Sequence, residues 1–427
     1  MKHISTINGP INERKRLGSI IAASSGNLVE WFDFYIYAFL SVYFAHHFSI
    51  SNNFMLQQIQ SFGIFALGFL MRPLGSYIFG QIADKTGRKA SMILSIILMA
   101  FGSFLIAGLP TKDTLGEYSA LGLLLARLIQ GLSVGGEYGI AATYLSEIGK
   151  RGKRGFYASF QPATLIGGQL AAVASISILL LFFNEQEMRD FAWRILFFAG
   201  GVLALLSLLS RRLMEDSTSD LHKHEKRGQA KELFKQWKML LLIGGISSGG
   251  SLAFYTITTY TKIFMINNGF DAKTSNLIML FALVALIVMQ PIFGILSDKI
   301  GHKRLMLGFG IGSLLFIYPL FLALKFMSQS ASSLGAFIVI LGLFVILSFY
   351  TSIGGIFKSK FFPTHVRAMG IGLAHAIPNA IFGGSANYIA LKFKNYGFED
   401  GFFIYIAVIM LLVILSTALT PKKSYLE

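Results

Sequence analysis

Apolar stretches long enough to cross a bilayer core, which takes about 20 helical residues, follow one another along the chain. Twelve can be marked: 19–45, 58–82, 90–109, 118–147, 156–183, 193–213, 238–266, 274–297, 305–325, 333–359, 368–392 and 401–419. The polar breaks between them are short except one, the charged stretch MEDSTSDLHKHEKRGQAKELFKQW at 214–237. The pattern also repeats. GQIADKTGRKAS (80–91) returns as GILSDKIGHKRL (294–305), and Arg154-Gly155 returns as Arg367-Ala368, so six spans are followed by six more. This predicts an all-α membrane protein of twelve transmembrane helices in two pseudo-symmetric six-helix bundles, 1–213 and 238–427, joined by the linker 214–237.

Composition agrees with the pattern. The 427 residues are 54% hydrophobic and only 14% charged, where a soluble domain carries about 25% charge. Mean hydropathy is +0.62. The acids inside the first span predict that it is retained rather than cleaved as a signal peptide. There is no cysteine, so no disulfide or thiolate chemistry. The net charge of +16 acquires meaning when sorted by loop. Of the 37 Lys and Arg, 27 are sorted to one side of the spans, among them Lys358 at the end of span ten and Lys360 and Arg367 in the loop after it. Six fall on the other side, and Arg72, Arg127, Arg194 and Lys262 lie in spans or at their edges. Excess positive charge marks the cytoplasmic side, so both termini and the linker are expected there. The basic charge is thus topological, with no call for a nucleic-acid partner. No GxxxxGK[ST], HExxH or Ser/His/Asp arrangement occurs, which excludes an ATP-driven pump of that type and leaves no visible enzyme or cofactor site.

The charges buried in the spans carry the chemistry. Glu30 and Asp33 lie about 17 and 21 Å into the first span, near the midplane, on one helical face. A carboxylate at that depth costs roughly 2.5–3.5 kcal/mol and needs a partner or a wet cavity. Arg127 in LARLIQG (span four) sits at similar depth and is expected to reach these acids, as a proton-coupling pair or as a static ion pair. Arg72 in GFLMRPLG (span two) can pair with Glu137 or take an anionic group bidentately. Lys262 in span seven can hold the other end of a dianion or snorkel to the headgroups. Tyr255, Thr256, Thr259 and Tyr260 precede it with hydroxyls for either ligand or packing. Pro378 and the Gly383-Gly384 pair predict an irregular, cavity-facing stretch in span eleven, with Asn387 as a hydrogen-bond contact and His375 as a neutral buried residue or a relay. Asp84 and Arg88 in the first repeated loop, Asp298 in the second, and Glu147, Arg154, His365 and Arg367 at the same side of the spans read as gate charges or a solvated face.

The stretches GNLVEWFDFYIYAF, GFLMRPLG, GQIADKTGRK, RLIQGLSVGGEYG, KRGFYASFQ, FPTHVRAMGIGL and NAIFGGSANYIAL resemble the metabolite:proton symporter family of the major facilitator superfamily. SSGNLVEWFDFY, SFYTSIGGIFKSKFFPTHVRA and NAIFGGSANYIALKFKNYG are most similar to its bacterial alpha-ketoglutarate permeases. Two positions depart: Asn387 stands where that pattern carries an acid, and His302 where the second loop carries an arginine. The resemblance implies a cavity lined by spans one, four, seven and ten. It implies a monomer of the bacterial inner membrane that takes up 2-oxoglutarate with protons, driven by the gradient alone. Substrate would bind Arg72, Arg127 and Lys262 with Tyr255, Tyr260 and Asn387. Protons would load on Glu30, Asp33 or Glu137. Asp84, Arg88, Glu147, Arg154, Asp298 and Arg367 would form the cytoplasmic gate. The rival readings are another solute of the family (citrate, shikimate, proline or betaine) and a membrane sensor that does not transport.

Overall fold

The computed structural model describes residues 13–86, 88–134, 152–212, 233–363, 366–421 and 425; the side chains of 13–27, 76, 80–86, 88–92, 209–212 and 368 lie outside the description. Twelve helices occupy the twelve expected stretches. In the first six these are α1 (Glu13–Phe44), α2 (Phe54–Thr86), α3 (Arg88–Gly108), α4 (Tyr118–Ser133), α5 (Arg154–Phe182) and α6 (Trp193–Arg212). The second six are α7 (Trp237–Asn267), α8 (Ala272–Ile300), α9 (His302–Gln329), α10 (Ser333–Ser359), α11 (367–395) and α12 (Glu399–Leu419). Among the described residues, nine stretches are long and apolar enough to span a membrane, and Ile93–Gly108 and Tyr118–Ser133 are shorter apolar helices.

Helix pairing repeats at an interval of six. α1 packs on α5 and α6, α2 on α4, and α3 on α4 and α6. Correspondingly, α7 packs on α11 and α12, α8 on α10, and α9 on α10 and α12. Between these sets α5 lies against α8 and α2 against α11, contacts that exchange with each other under the same shift. Most of the 214–237 linker falls outside the described residues.

Burial separates inner from outer helices. The apolar windows of α1, α7 and α10 are 83%, 78% and 61% buried, against 39% for α5, α6, α8, α9 and α12. The outer helices turn large apolar side chains outward, such as Leu181, Phe182, Phe281 and Leu419, as a lipid-facing surface requires. Two helices are locally underwound where the site forms. α7 carries a π turn at Thr256–Tyr260, and α11 one at Asn379–Gly383, just after Pro378. Proline removes a backbone donor and clashes with the preceding turn. The irregular stretch expected in span eleven is therefore this π turn. At the start of α8, Asp271 accepts from the Thr274 amide and hydroxyl. Partial burial pushes its carboxyl up, but these bonds outweigh it and hold the group below the usual range.

Candidate functional site between the helix bundles

Phe34 of α1 is the centre of the site. Its fully buried ring lies 4.3 Å from the Arg72 guanidinium of α2 and 4.7 Å from that of Arg127 of α4. Two like charges therefore sit within about 9 Å of each other across one ring. Arg72 also lies over Phe69 at 4.0 Å and Trp31 at 5.1 Å. Arg127 lies over Tyr37 at 4.4 Å and Phe65 at 5.2 Å. Arg72 is 5% exposed and Arg127 fully buried, and Nε and Nη2 of both lack a hydrogen-bond partner. Aromatic faces offset part of the desolvation, on the order of 2 kcal/mol per contact. They leave four in-plane nitrogens without a hydrogen-bond partner among the described residues and a mutual repulsion of about 2 kcal/mol at an effective dielectric of about 20. A bound anion would answer both.

Asp33 sits on the other side of Arg127. Its buried carboxylate lies 2.6 Å from Ser103 Oγ of α3 and accepts from Gln130 Nε2 at 2.9 Å. Gln130 Oε1 in turn accepts from Arg127 Nη1 at 2.6 Å. A Cβ at Gly200 of α6 would collide with the carboxylate, so the glycine makes its room. The expected direct pair of Arg127 with the span-one acids is thus replaced by a link through one amide. Asp33 faces α3, α4 and α6, inside the first bundle. Glu30, nearly a turn earlier, is half-buried. Gln130 and Ser103 escaped the sequence reading because neutral polar residues carry no signal of a membrane cost.

From the second half, Tyr255 reaches this cluster. Its ring is 5.2 Å from Phe69, edge-on, and 6.4 Å from Tyr35. Gly383 of the α11 π turn packs against it. Gln169 of α5 donates to Thr258 of α7 at 3.1 Å while its Oε1 is unpartnered. Thr256, Thr259 and Asn387 are buried, and their hydroxyls and both amide atoms of Asn387 lack partners. Tyr260 departs from its expected role. It packs among Phe264, Phe321 and Phe402 in the core of the second bundle, whereas Tyr255 meets Phe69 and Tyr35 of the first half. Lys262 does not snorkel. It is 1% exposed, and its ammonium donates to Phe39 O of α1 at 3.1 Å and Asn276 Oδ1 at 2.9 Å. Lys358, sorted by sequence into a basic loop, is fully buried in α10.

Comparison with known proteins adds the family. The sequence profile of the Major Facilitator Superfamily matches residues 23–385. The chain belongs to this superfamily. It is 47% identical over 412 residues to an alpha-ketoglutarate permease of Escherichia coli (strain K12), covering 96% of this chain and 95% of that one. It is 30% identical over 389 residues to a citrate-proton symporter of Klebsiella pneumoniae, covering 89% and 86%. A crystal structure of a D-xylose-proton symporter superposes with a TM-score of 0.73 at 17% identity, over 95% of this chain and 98% of that one, which shows the shared fold.

In this superfamily fold the two ends of the bundle are distinct, and both carry bonds between the halves. At the end of the basic loops, Asp298 of α8 accepts from the amides of Gly155 (2.8 Å) and Phe156 (3.1 Å) at the N-terminus of α5. A carboxylate there meets the positive end of the helix dipole. At the far end, Lys262 bonds to α1, and Asn276 of α8 donates to Val173 O and Ser177 Oγ of α5. Arg154 is half-buried at the start of α5. Arg367, expected at the gate, is buried, and its bonds include those to Phe362 O and Tyr425 O. Glu137, Glu147 and His365 lie outside the described residues, as do the side chains of Asp84 and Arg88.

Proposed function

We propose that this chain is a proton-coupled symporter that imports 2-oxoglutarate by alternating access. The observation that carries this reading is the pair of buried guanidiniums, Arg72 and Arg127, sharing the ring of Phe34 with in-plane donors unmet. A carboxylate matches a guanidinium edge bidentately, and two neighbouring buried cations favour an anionic ligand. The 47% identical permease supports the substrate class. In this reading it lies in a bacterial inner membrane with both termini in the cytoplasm, an orientation supported by the excess of Lys and Arg in the loops on that side. The protein works as a monomer, without a cofactor beyond the proton gradient.

Asp33 carries the proton in this reading. Ionised, it balances Arg127 through Gln130. Protonated, it leaves a positive excess at Phe34 that favours the anion. Proton and anion therefore promote each other's binding reciprocally. The cotransported proton also offsets substrate charge against an inside-negative potential, worth about 2.3 kcal/mol per charge per 100 mV. The bonds at the two ends, Asp298 to α5 and Lys262 to α1, act as gates that open in turn. The test is uptake of labelled 2-oxoglutarate into proteoliposomes with and without an inward proton gradient. Gradient-driven accumulation blocked by unlabelled 2-oxoglutarate, and not by proline or betaine, is the expected result. Competition by citrate or shikimate alone would move the substrate within the family, and absence of any uptake would overturn the transport reading.

A further inference from the structure

Arg72 and Arg127 both belong to the first half. A ligand held only there cannot draw the halves together, because it shifts the equilibrium only by its differential contacts in the closed state. The second half offers two fully buried lysines. Lys262 is engaged with Phe39 and Asn276 near the far end. Lys358 is 0% exposed, and its ammonium lies 3.1 Å from Tyr350 Oη and 3.1 Å from His375 Nδ1. Side chains leave a helix toward its N-terminus. The long stem of Lys358 therefore carries its charge from the last turn of α10 toward the middle of the bundle. A charged lysine only donates, so the ammonium form has Nδ1 of His375 as its acceptor.

Neighbouring residues of α11 and α7 lead from this group toward Arg72. His375 lies one turn before Asn379 on α11, and the Asn379 side chain meets Gly383 of the π turn. Gly383 packs on Tyr255, whose ring stands against Phe69, the ring under Arg72. We infer that Lys358 is the second-half anchor of the transported dianion: Arg72 and Arg127 hold one carboxylate, and Lys358, released from Tyr350 and His375, takes the other. This rests on the dicarboxylate reading above and names the residue that makes two carboxylates a requirement.

The test compares 2-oxoglutarate with 2-oxovalerate, the same chain lacking the distal carboxylate, as inhibitors of uptake by the full-length protein in proteoliposomes. Lys358→Met should reduce the preference for the diacid about tenfold or more, by weakening 2-oxoglutarate while leaving inhibition by 2-oxovalerate unchanged. Lys358→Arg should retain most of the preference. Equal loss toward both compounds, or an unaltered ratio, overturns the anchor. Should Lys358→Met fail to fold, Lys358→Cys gives the sole thiol of a chain without cysteine. Aminoethylation of that thiol should restore the preference and neutral methylation should not; no difference between the two overturns the inference. Wild-type protein that takes up no 2-oxoglutarate overturns the dicarboxylate reading itself. A normal wild type with an unchanged mutant ratio overturns only the role of Lys358.

Discussion

At the scale of single residues, one amide stands between the acid and the base of the site. Gln130 presents its N–H to Asp33 and its carbonyl to Arg127, so a change of charge on one is felt by the other without contact. Asp33→Asn keeps the volume and removes the charge. It should leave substrate exchange within about threefold of wild type and cut gradient-driven accumulation about tenfold or more, tenfold corresponding to 1.4 kcal/mol. Parallel measurement of counterflow and net uptake checks this. Equal loss of both would make Asp33 a structural residue. Asp33 and Arg127 were legible in the sequence because an ionised side chain in an apolar run has few innocent explanations. Lys358 was not, because FKSK at the end of a span reads as the start of a basic loop. Tyr260 differs for another reason: residue type does not show which side of α7 faces the first half, and this ring packs into the core of its own bundle.

At the scale of elements, α2 and α4 cross with their backbones in contact. A Cβ at Gly131 would run into the carbonyl oxygen of Gly68, and one at Gly75 into that of Leu132. Without side chains between them the helices gain close van der Waals contact along the crossing. Gly131→Ala should separate the pair and destabilise the protein by about 1–3 kcal/mol, the usual range for overpacking. Thermal unfolding in detergent would record it, with Gly108→Ala as the control, since nothing lies within 4 Å of a Cβ there. The helices themselves were legible: among the described residues each lies within a few residues of its apolar run, the fourth being described only as far as Ser133. The crossing was not, because a glycine in a membrane helix shows only that close approach is allowed, not which partner approaches.

At the scale of the molecule, the halves are tied at both ends, and loosening one end should bias the whole. Asp298→Ala removes two bonds from a charged acceptor to the α5 amides, each worth about 1.5–3 kcal/mol. The conformer open at the basic end should gain about tenfold or more. A single cysteine in place of the buried Ser159, beside Gly294 of α8, should then be alkylated correspondingly faster, and an unchanged rate would remove Asp298 from the gate. The crossing of α2 and α4 bears on what that motion can and cannot alter. Gly68 and Gly75 bracket Arg72 on one helix, while Arg127 lies one turn from Gly131 on the other. The two guanidiniums are therefore mounted on a single rigid frame. They form a gauge of fixed width, not a pair of jaws, and every ligand is measured by the same spacing at each stage of the cycle.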